Sequence, residues 1–321
     1  MSAHRRTFGP IPLLALLALA TIAAACGPRT GELGTVAPPP SDSPQIDIPT
    51  PEPTPGGSPS TQTPAPGTPG PSPSDPGTMT LRVYFFLGSF TDNAGLVPVL
   101  RELPRTPAVG AAAMQALLRG PNEAELGARP AMYTTIPVDT RFLGLRIEDR
   151  IAIVNLSREF EQGGGTASVL GRLAQVVYTL TQFPTVDGVR FELDGEPVTV
   201  FSGQGVVLDE PVGRNDYTDQ LPAIFVDRPA WGAVLANPAR IVGLADVFEA
   251  TFRARILDAA GRVLAEGNVM ASCGTGCWGT FDETIPYNVT AGGRGTLQVY
   301  SLSAADGSQQ NLTEYPVWLT P

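Results

Sequence analysis

From Gly27 to about Thr78 the chain is built of Pro, Ser, Thr and Gly with few large apolar residues, as in Thr50-Pro51-Glu52-Pro53-Thr54-Pro55. Such a segment cannot bury enough apolar surface to offset the entropy of ordering it, and its prolines favour extended polyproline geometry. It reads as a tether, so whatever folds in these 321 residues must come from the sequence beyond it. At about 3 Å per residue, about fifty such residues reach roughly 150 Å when fully extended and less on average. That reach suits a partner embedded in or lying across a cell envelope; the plainer reading is a spacer whose length matters little.

What precedes the tether says where it is attached. The basic patch His4-Arg5-Arg6 leads into the apolar run Ile11 to Ala25, and Ala23, Ala24 and Ala25 stand directly before Cys26. This layout resembles a bacterial lipoprotein signal peptide: a positive n-region, an apolar stretch too short for a mature spanning helix, and small residues that fit the signal peptidase beside the cysteine. Such signals usually carry Leu where this chain has Ala23, and the alternative is ordinary secretion with cleavage near Ala25. The expectation is lipidation of Cys26 and a protein held by that anchor on the outer face of the cytoplasmic membrane.

Counting residue types excludes much chemistry. His4 is the only histidine and falls in the leader, so a mature chain has no imidazole for a Ser-His-Asp or Cys-His mechanism, a general base or a histidine metal centre. All 21 basic residues are arginine, which removes lysine Schiff bases, Ser-Lys dyads and a phosphate-loop lysine. With Cys26 lipidated, Cys273 and Cys277 remain as a pair, and Cys-Gly-Thr-Gly-Cys suits a small disulfide loop better than a zinc site, which would want two further soft ligands. No cofactor or metal is expected. Loss of Arg5 and Arg6 leaves 19 arginines against 31 acids, a formal charge of −12. Nucleic acid is therefore not an expected partner, and an anionic membrane surface would not attract the protein without its lipid.

Folded sequence begins near Met79 with the β-prone run Leu81 to Phe86. Thr106-Pro107 reads as an N-cap followed by proline at the first helical position. Val109, Ala113, Leu117 and Leu118 recur at helical spacing up to Gly120-Pro121. Phe142 to Ile147 and Ile151 to Leu156 flank Glu148-Asp149-Arg150 as a hairpin. Gly163-Gly164-Gly165, a flexible hinge lacking the lysine of a phosphate loop, precedes a helix with Val169, Leu173, Val176, Val177 and Leu180 on one face. Val189, Phe191 and Leu193 alternate up to Asp194-Gly195, with Val198 and Val200 beyond. The order β-α-β-β-α-β-β predicts an α+β domain with its helices on one sheet. From about Leu221 the pattern is strands only. Phe248, Ala250, Phe252, Ala254 and Ile256 point one way and the residues between them the other. About seven short strands in about a hundred residues predict an immunoglobulin-like β-sandwich.

Specific blocks then carry a family likeness. Leu117-Leu118-Arg119-Gly120-Pro121, Thr135-Ile136-Pro137 with Thr140, Ile153 to Phe160 and Gln175 to Pro184 make the first region resemble the GerMN domain of sporulation and spore germination. Asn155 departs from the acidic residue usual there, which weakens any cation-binding role. Val226-Asp227-Arg228-Pro229, Asn237-Pro238, Gly243 with Ala245, Phe248-Glu249-Ala250, Asp258 with Gly261, Gly279-Thr280-Phe281 and Val317 make the second resemble the immunoglobulin-like domain of bacterial spore-germination proteins. The resemblance implies a non-enzymatic envelope lipoprotein acting as an assembly or scaffold module beside envelope proteins. By analogy with ring-building modules it implies self-association through the GerMN-like domain.

The expected layout is a signal peptide over 1–25, the tether over 26–78, the GerMN-like domain over 79–204 and the sandwich over 220–321. Two sharper readings remain. Paired carboxylates could run glycoside hydrolysis, and the candidates are Glu159 with Glu161, Asp194 with Glu196, and Asp282 with Glu283; solvated acids beside turns are the ordinary explanation. Trp231, Trp278 and Trp318 could stack wall sugars, Trp278 beside the cysteine loop being the first candidate for a glycan or partner contact, though tryptophan in a β-rich protein more often packs. The sequons at Asn155, Asn288 and Asn311 carry no weight behind a bacterial signal.

Overall fold

Side-chain alternation and β-prone residues put the first folded segment into a long hairpin. In the computed structural model, which describes residues 77–89, 93–203 and 205–321, β1 (Thr78–Gly88) pairs antiparallel with β2 (Asn93–Pro104) from end to end. Pro98 and Pro104 keep β2 from showing as a strand in the sequence pattern. As an edge strand of the sheet β2-β1-β3, with β3 at Met132–Tyr133, it tolerates residues that cannot donate to a ladder. α1 (Val109–Leu118) starts two residues later than the Thr106-Pro107 pattern predicts, capped by Ala108, and ends before Gly120 at φ 76°. A short α2 (Glu123–Leu126) is closed by a reciprocal cap between Asn122 and Glu125, and the buried Glu125 carboxylate also takes both guanidinium nitrogens of Arg101 at 2.6 Å.

β4 (Phe142–Glu148) and β5 (Ile151–Leu156) form the predicted hairpin, with Asp149 and Arg150 both at positive φ as its tight turn requires. α3 (Thr166–Leu180) then crosses over to β6 (Gly188–Leu193), which lies parallel to β5, and β7 (Glu196–Pro197) completes the order β4-β5-β6-β7. β8 (Val200–Phe201) and β9 (Val206–Val207) form a separate ribbon. The domain is α+β, but its strands divide between two larger sheets where the sequence predicts one. The reason lies in α3. Its five predicted apolar residues are buried, and so are Arg172, Gln175, Tyr178 and Thr179 around it, because Gly171 lets the Phe86 ring of β1 approach closely while other side chains meet the second sheet.

The second domain is a sandwich. β10 (Ile224–Arg228), β12 (Ala239–Ala245) and β15 (Gly279–Ile285) form one sheet. The other runs β11-β17-β16-β13-β14, from β11 (Val234–Leu235), β17 (Gln309–Leu319), β16 (Gly293–Leu302), β13 (Thr251–Asp258) and β14 (Val263–Met270). Phe252 and Phe281 meet edge to face with centroids 4.9 Å apart. Gly243 is obligatory: a Cβ there would collide with the Phe225 carbonyl and the Phe281 ring. The predicted alternation holds for Phe252, Ala254 and Ile256 but not before them. Glu249 and Ala250 both adopt φ 57°, the chain kinks, and Phe248 is left 60% exposed.

One apolar core continues through both domains by way of Leu221, Ile224 and Phe225. The Trp231 N–H donates to the Pro98 carbonyl at 2.9 Å, fixing the sandwich to the outer edge of β2. The segment between the domains is packed as well: Tyr217, in the 3-10 turn Arg214–Gln220, is buried.

Candidate functional site

Two places gather the chemistry. The first is a buried polar cluster where the domains meet. Tyr84, on β1 and fully buried, donates its hydroxyl to Asp227 Oδ1 at 2.6 Å. Arg214 reaches the same carboxylate at 3.3 Å, and Arg82 lies 3.7 Å from its other oxygen. The Arg214 guanidinium also stacks over the rings of Tyr84 and Tyr178, 5.5 and 4.7 Å from their centroids. Burial pulls the Asp227 carboxyl upward, but Arg214, Arg82 and the Tyr84 hydroxyl outweigh it and hold it below the ordinary range. Burial, helped by the Asp227 charge, pushes the Tyr84 phenol up to about 12. Two cations, one anion and the Tyr84 phenol thus satisfy one another with little water access, and together they tie the two domains to each other.

The second is a groove of about 540 Å³ on the sandwich, with Leu257, Thr296, Arg294, Pro316 and Trp318 among its walls. These come from neighbouring β13, β16 and β17, at positions alternating with the buried Leu297, Tyr315 and Val317, so they belong to the outer face of the five-stranded sheet. The exposed Arg294 side chain forms no hydrogen bond or ion pair with another described residue. Asp258, also at the groove, is committed: its oxygens accept from the Ala260 and Arg262 N–H groups and from Arg262 Nε at 2.8–3.0 Å. Those bonds, the Arg262 backbone first, hold its carboxyl low.

The family comparisons bear on both places. Residues 82–199 match the model described as sporulation and spore germination, and residues 223–308 match the immunoglobulin-like domain of bacterial spore germination. The chain carries a GerMN domain followed by a germination-type immunoglobulin-like domain. A candidate lipoprotein from Clostridium perfringens is 24% identical with a TM-score of 0.31, over 47% of this chain and 97% of that one. The first GerMN domain of the sporulation protein GerM from Bacillus subtilis is 20% identical at 0.34, over 43% and 99%. The tandem GerMN domains of the same protein are 14% identical at 0.36, over 65% and 61%. No curated protein matches the chain.

The blocks that identify the GerMN domain do structural work. Gln175 Oε1 accepts from the N–H and hydroxyl of Thr135, both at 3.0 Å, and its Nε2 donates to the Tyr84 carbonyl at 2.8 Å, so one amide ties a loop, α3 and β1 together. Asn155 accepts from the Gly195 N–H at 3.0 Å and steadies the β6–β7 turn. Gly163 and Gly164 are not a loose hinge: both take positive φ, and the Phe160, Gln162 and Gly163 carbonyls accept from the buried Arg172 guanidinium at 2.7–2.9 Å. In the immunoglobulin-like domain Asp227, within the Val226-Asp227-Arg228-Pro229 block, meets Tyr84 of the GerMN domain.

Of the predicted site residues, Cys26 lies outside the described residues. A disulfide joins Cys273 to Cys277 with Cα atoms 5.9 Å apart, and Trp278 beside it is half-buried against the core. Trp318, not singled out above the other tryptophans, is the one that lines the groove. Among the described residues no three or more acidic, cysteine or histidine side chains gather where they could hold a metal. One member of each carboxylate pair is drawn to arginine: Asp282 is clasped by Arg240, Asp194 lies 3.5 Å from Arg158, and Glu159 lies 4.0 Å from Arg141. Hydrogen bonds lower the carboxyls of Asp282 (from Arg240) and Glu159 (from Ser157), the opposite of what a general acid needs. The interdomain cluster escapes sequence reasoning because its members, Arg82, Tyr84, Arg214 and Asp227, are scattered along the chain, and the block that contains Asp227 does not say which residues it meets.

Proposed function

We propose that this protein is a non-enzymatic scaffold of the cell envelope, anchored through a lipid on Cys26, that assembles with protein partners in sporulation or germination. The observation that carries the reading is the pairing of the two germination domains, held as one block by the Asp227 cluster. Locking two domains by a buried charge network fits a part that presents surfaces in fixed register, and gives a turnover enzyme no evident benefit. The leader ending at Cys26, the tether-like composition after it, the absence of lysine and the confinement of histidine to His4 in the leader support the same view. Self-association through the GerMN domain is part of the proposal.

In-cell crosslinking of the tagged full chain, with Cys26→Ala as control, tests it. A defined membrane-protein partner or a homo-oligomeric ladder, lost without the anchor, is expected. Recovery of wall fragments alone, independent of the anchor, refutes it.

A further inference from the structure

The groove on the immunoglobulin-like domain has a hydrogen-bonding bias that selects among ligands. Its walls are mostly apolar, with the Trp318 indole, the Pro316 ring and Leu257 offering broad surfaces. Its uncommitted side-chain polar groups are the Arg294 guanidinium, the Trp318 indole N–H and the Thr296 hydroxyl, none of which bonds another described residue. Two of these three can only donate. The one carboxylate at the groove, Asp258, is taken up by Arg262 and its own turn. A sugar offers hydroxyls that donate as well as accept and would look for acceptor side chains here. A proline-rich peptide has the opposite character: flat pyrrolidine rings, carbonyl acceptors and few N–H donors, set out on a preformed extended helix.

We propose that the Trp318 groove binds an acidic, proline-rich segment of a partner polypeptide, with proline rings against Trp318 and Pro316, a backbone carbonyl on the indole N–H, and a carboxylate on Arg294. This is the aromatic-groove mode of polyproline recognition with the charge preference set by the free arginine. The volume of about 540 Å³ suits a short stretch of such a chain. The inference rests on the protein-assembly reading above and names the chemistry of one partner surface.

The test is fluorescence anisotropy of a labelled, end-blocked peptide, Ala-Pro-Pro-Glu-Pro-Pro-Ala, titrated with the full-length protein in detergent. Saturable binding is expected. Trp318→Ala weakens it about tenfold, as for a buried aromatic anchor. Arg294→Gln weakens it about threefold, as for an exposed charge pair, and replacing the peptide Glu by Gln matters only when Arg294 is present. Circular dichroism and the melting curve of each variant guard against unfolding, and Trp318→Phe, which keeps an aromatic face, retains part of the affinity. Absence of saturable binding, or equal affinity in wild type and all variants, overturns the inference. Saturable, Trp318-dependent binding of purified wall glycan with none of the peptide overturns it in favour of a sugar site. If the peptide fails while in-cell crosslinking still yields a protein partner, this groove assignment falls and the scaffold reading stands.

Discussion

Asp227→Ala is the substitution that asks most of the structure. The Asp227 side chain is 14% exposed and, among the described residues, is the only carboxylate paired with Arg82, 16% exposed, and Arg214, 24% exposed, while the buried Tyr84 hydroxyl has it as acceptor. Removing the carboxylate leaves two arginines held together with reduced access to water and a phenol without its acceptor. Breaking a buried pair by deleting one partner costs about 3–5 kcal/mol. The residual exposure of both arginines points to the lower end, about 3 kcal/mol. For a folded unit of this size that is a fall in Tm of roughly 10 °C. Because the lost contacts lie between domains, differential scanning calorimetry should also show the single transition broadening or splitting in two. Asp282→Ala, which removes an ion pair whose partners are 51% and 65% exposed, is the control and should barely move the curve. Asp227→Asn, which keeps an acceptor for Tyr84, should fall between the two. A single transition for Asp227→Ala within about 2 °C of wild type would refute the claim that this cluster locks the domains.

The same cluster sets two pH limits. Asp227 has a lowered folded-state pKa, so its contribution is present above the unfolded value of about 4 and is lost as pH falls through the lower folded value. Tyr84, pushed up to about 12 chiefly by burial, contributes stability that is full below about pH 10 and lost as pH rises toward 12. Melting curves across pH should therefore decline at both ends, and Tyr84→Phe should flatten the alkaline decline. Arg172→Met leaves the Phe160, Gln162 and Gly163 carbonyls without their donor and should lower the stability read by urea denaturation by about 3 kcal/mol, with Arg172→Lys restoring little because one ammonium cannot reach all three. Gly243→Ala should prevent the sandwich from closing, seen as a soluble yield and near-ultraviolet dichroism far below those of Gly267→Ala, where a Cβ meets only ordinary contacts to Ile285.

Local rules made much of this protein legible. Residues with a period of two or 3.6, closed by Gly or Asp-Gly, mark β4, β5, α3, β6 and β13 because each needs only its own neighbours to declare which face is buried. Two errors share a cause. β2 is hidden because its prolines are acceptable only at a sheet edge, and the alternation points Phe248 inward because it does not register the kink at Glu249 and Ala250, which depends on the turn around it. The site was less legible still. The tryptophans could be counted, but which of them packs and which lines a groove depends on which strands are neighbours.

By itself, the sequence determines the two-domain α+β and all-β plan, the poverty of catalytic residue types and the Pro-, Ser-, Thr- and Gly-rich composition from Gly27 to about Thr78, since these follow from composition and short-range pattern. Only the tertiary structure decides that Asp227 meets Tyr84 143 positions away, that α3 is enclosed on more than its apolar face, and that Arg294 and Trp318 stand opposite each other on neighbouring strands, neither side chain in a hydrogen bond or ion pair with another described residue. Such pairings are made by strand order and register, and long-range contacts of that kind are fixed by the packing of the whole core and not by any local preference of the residues that form them.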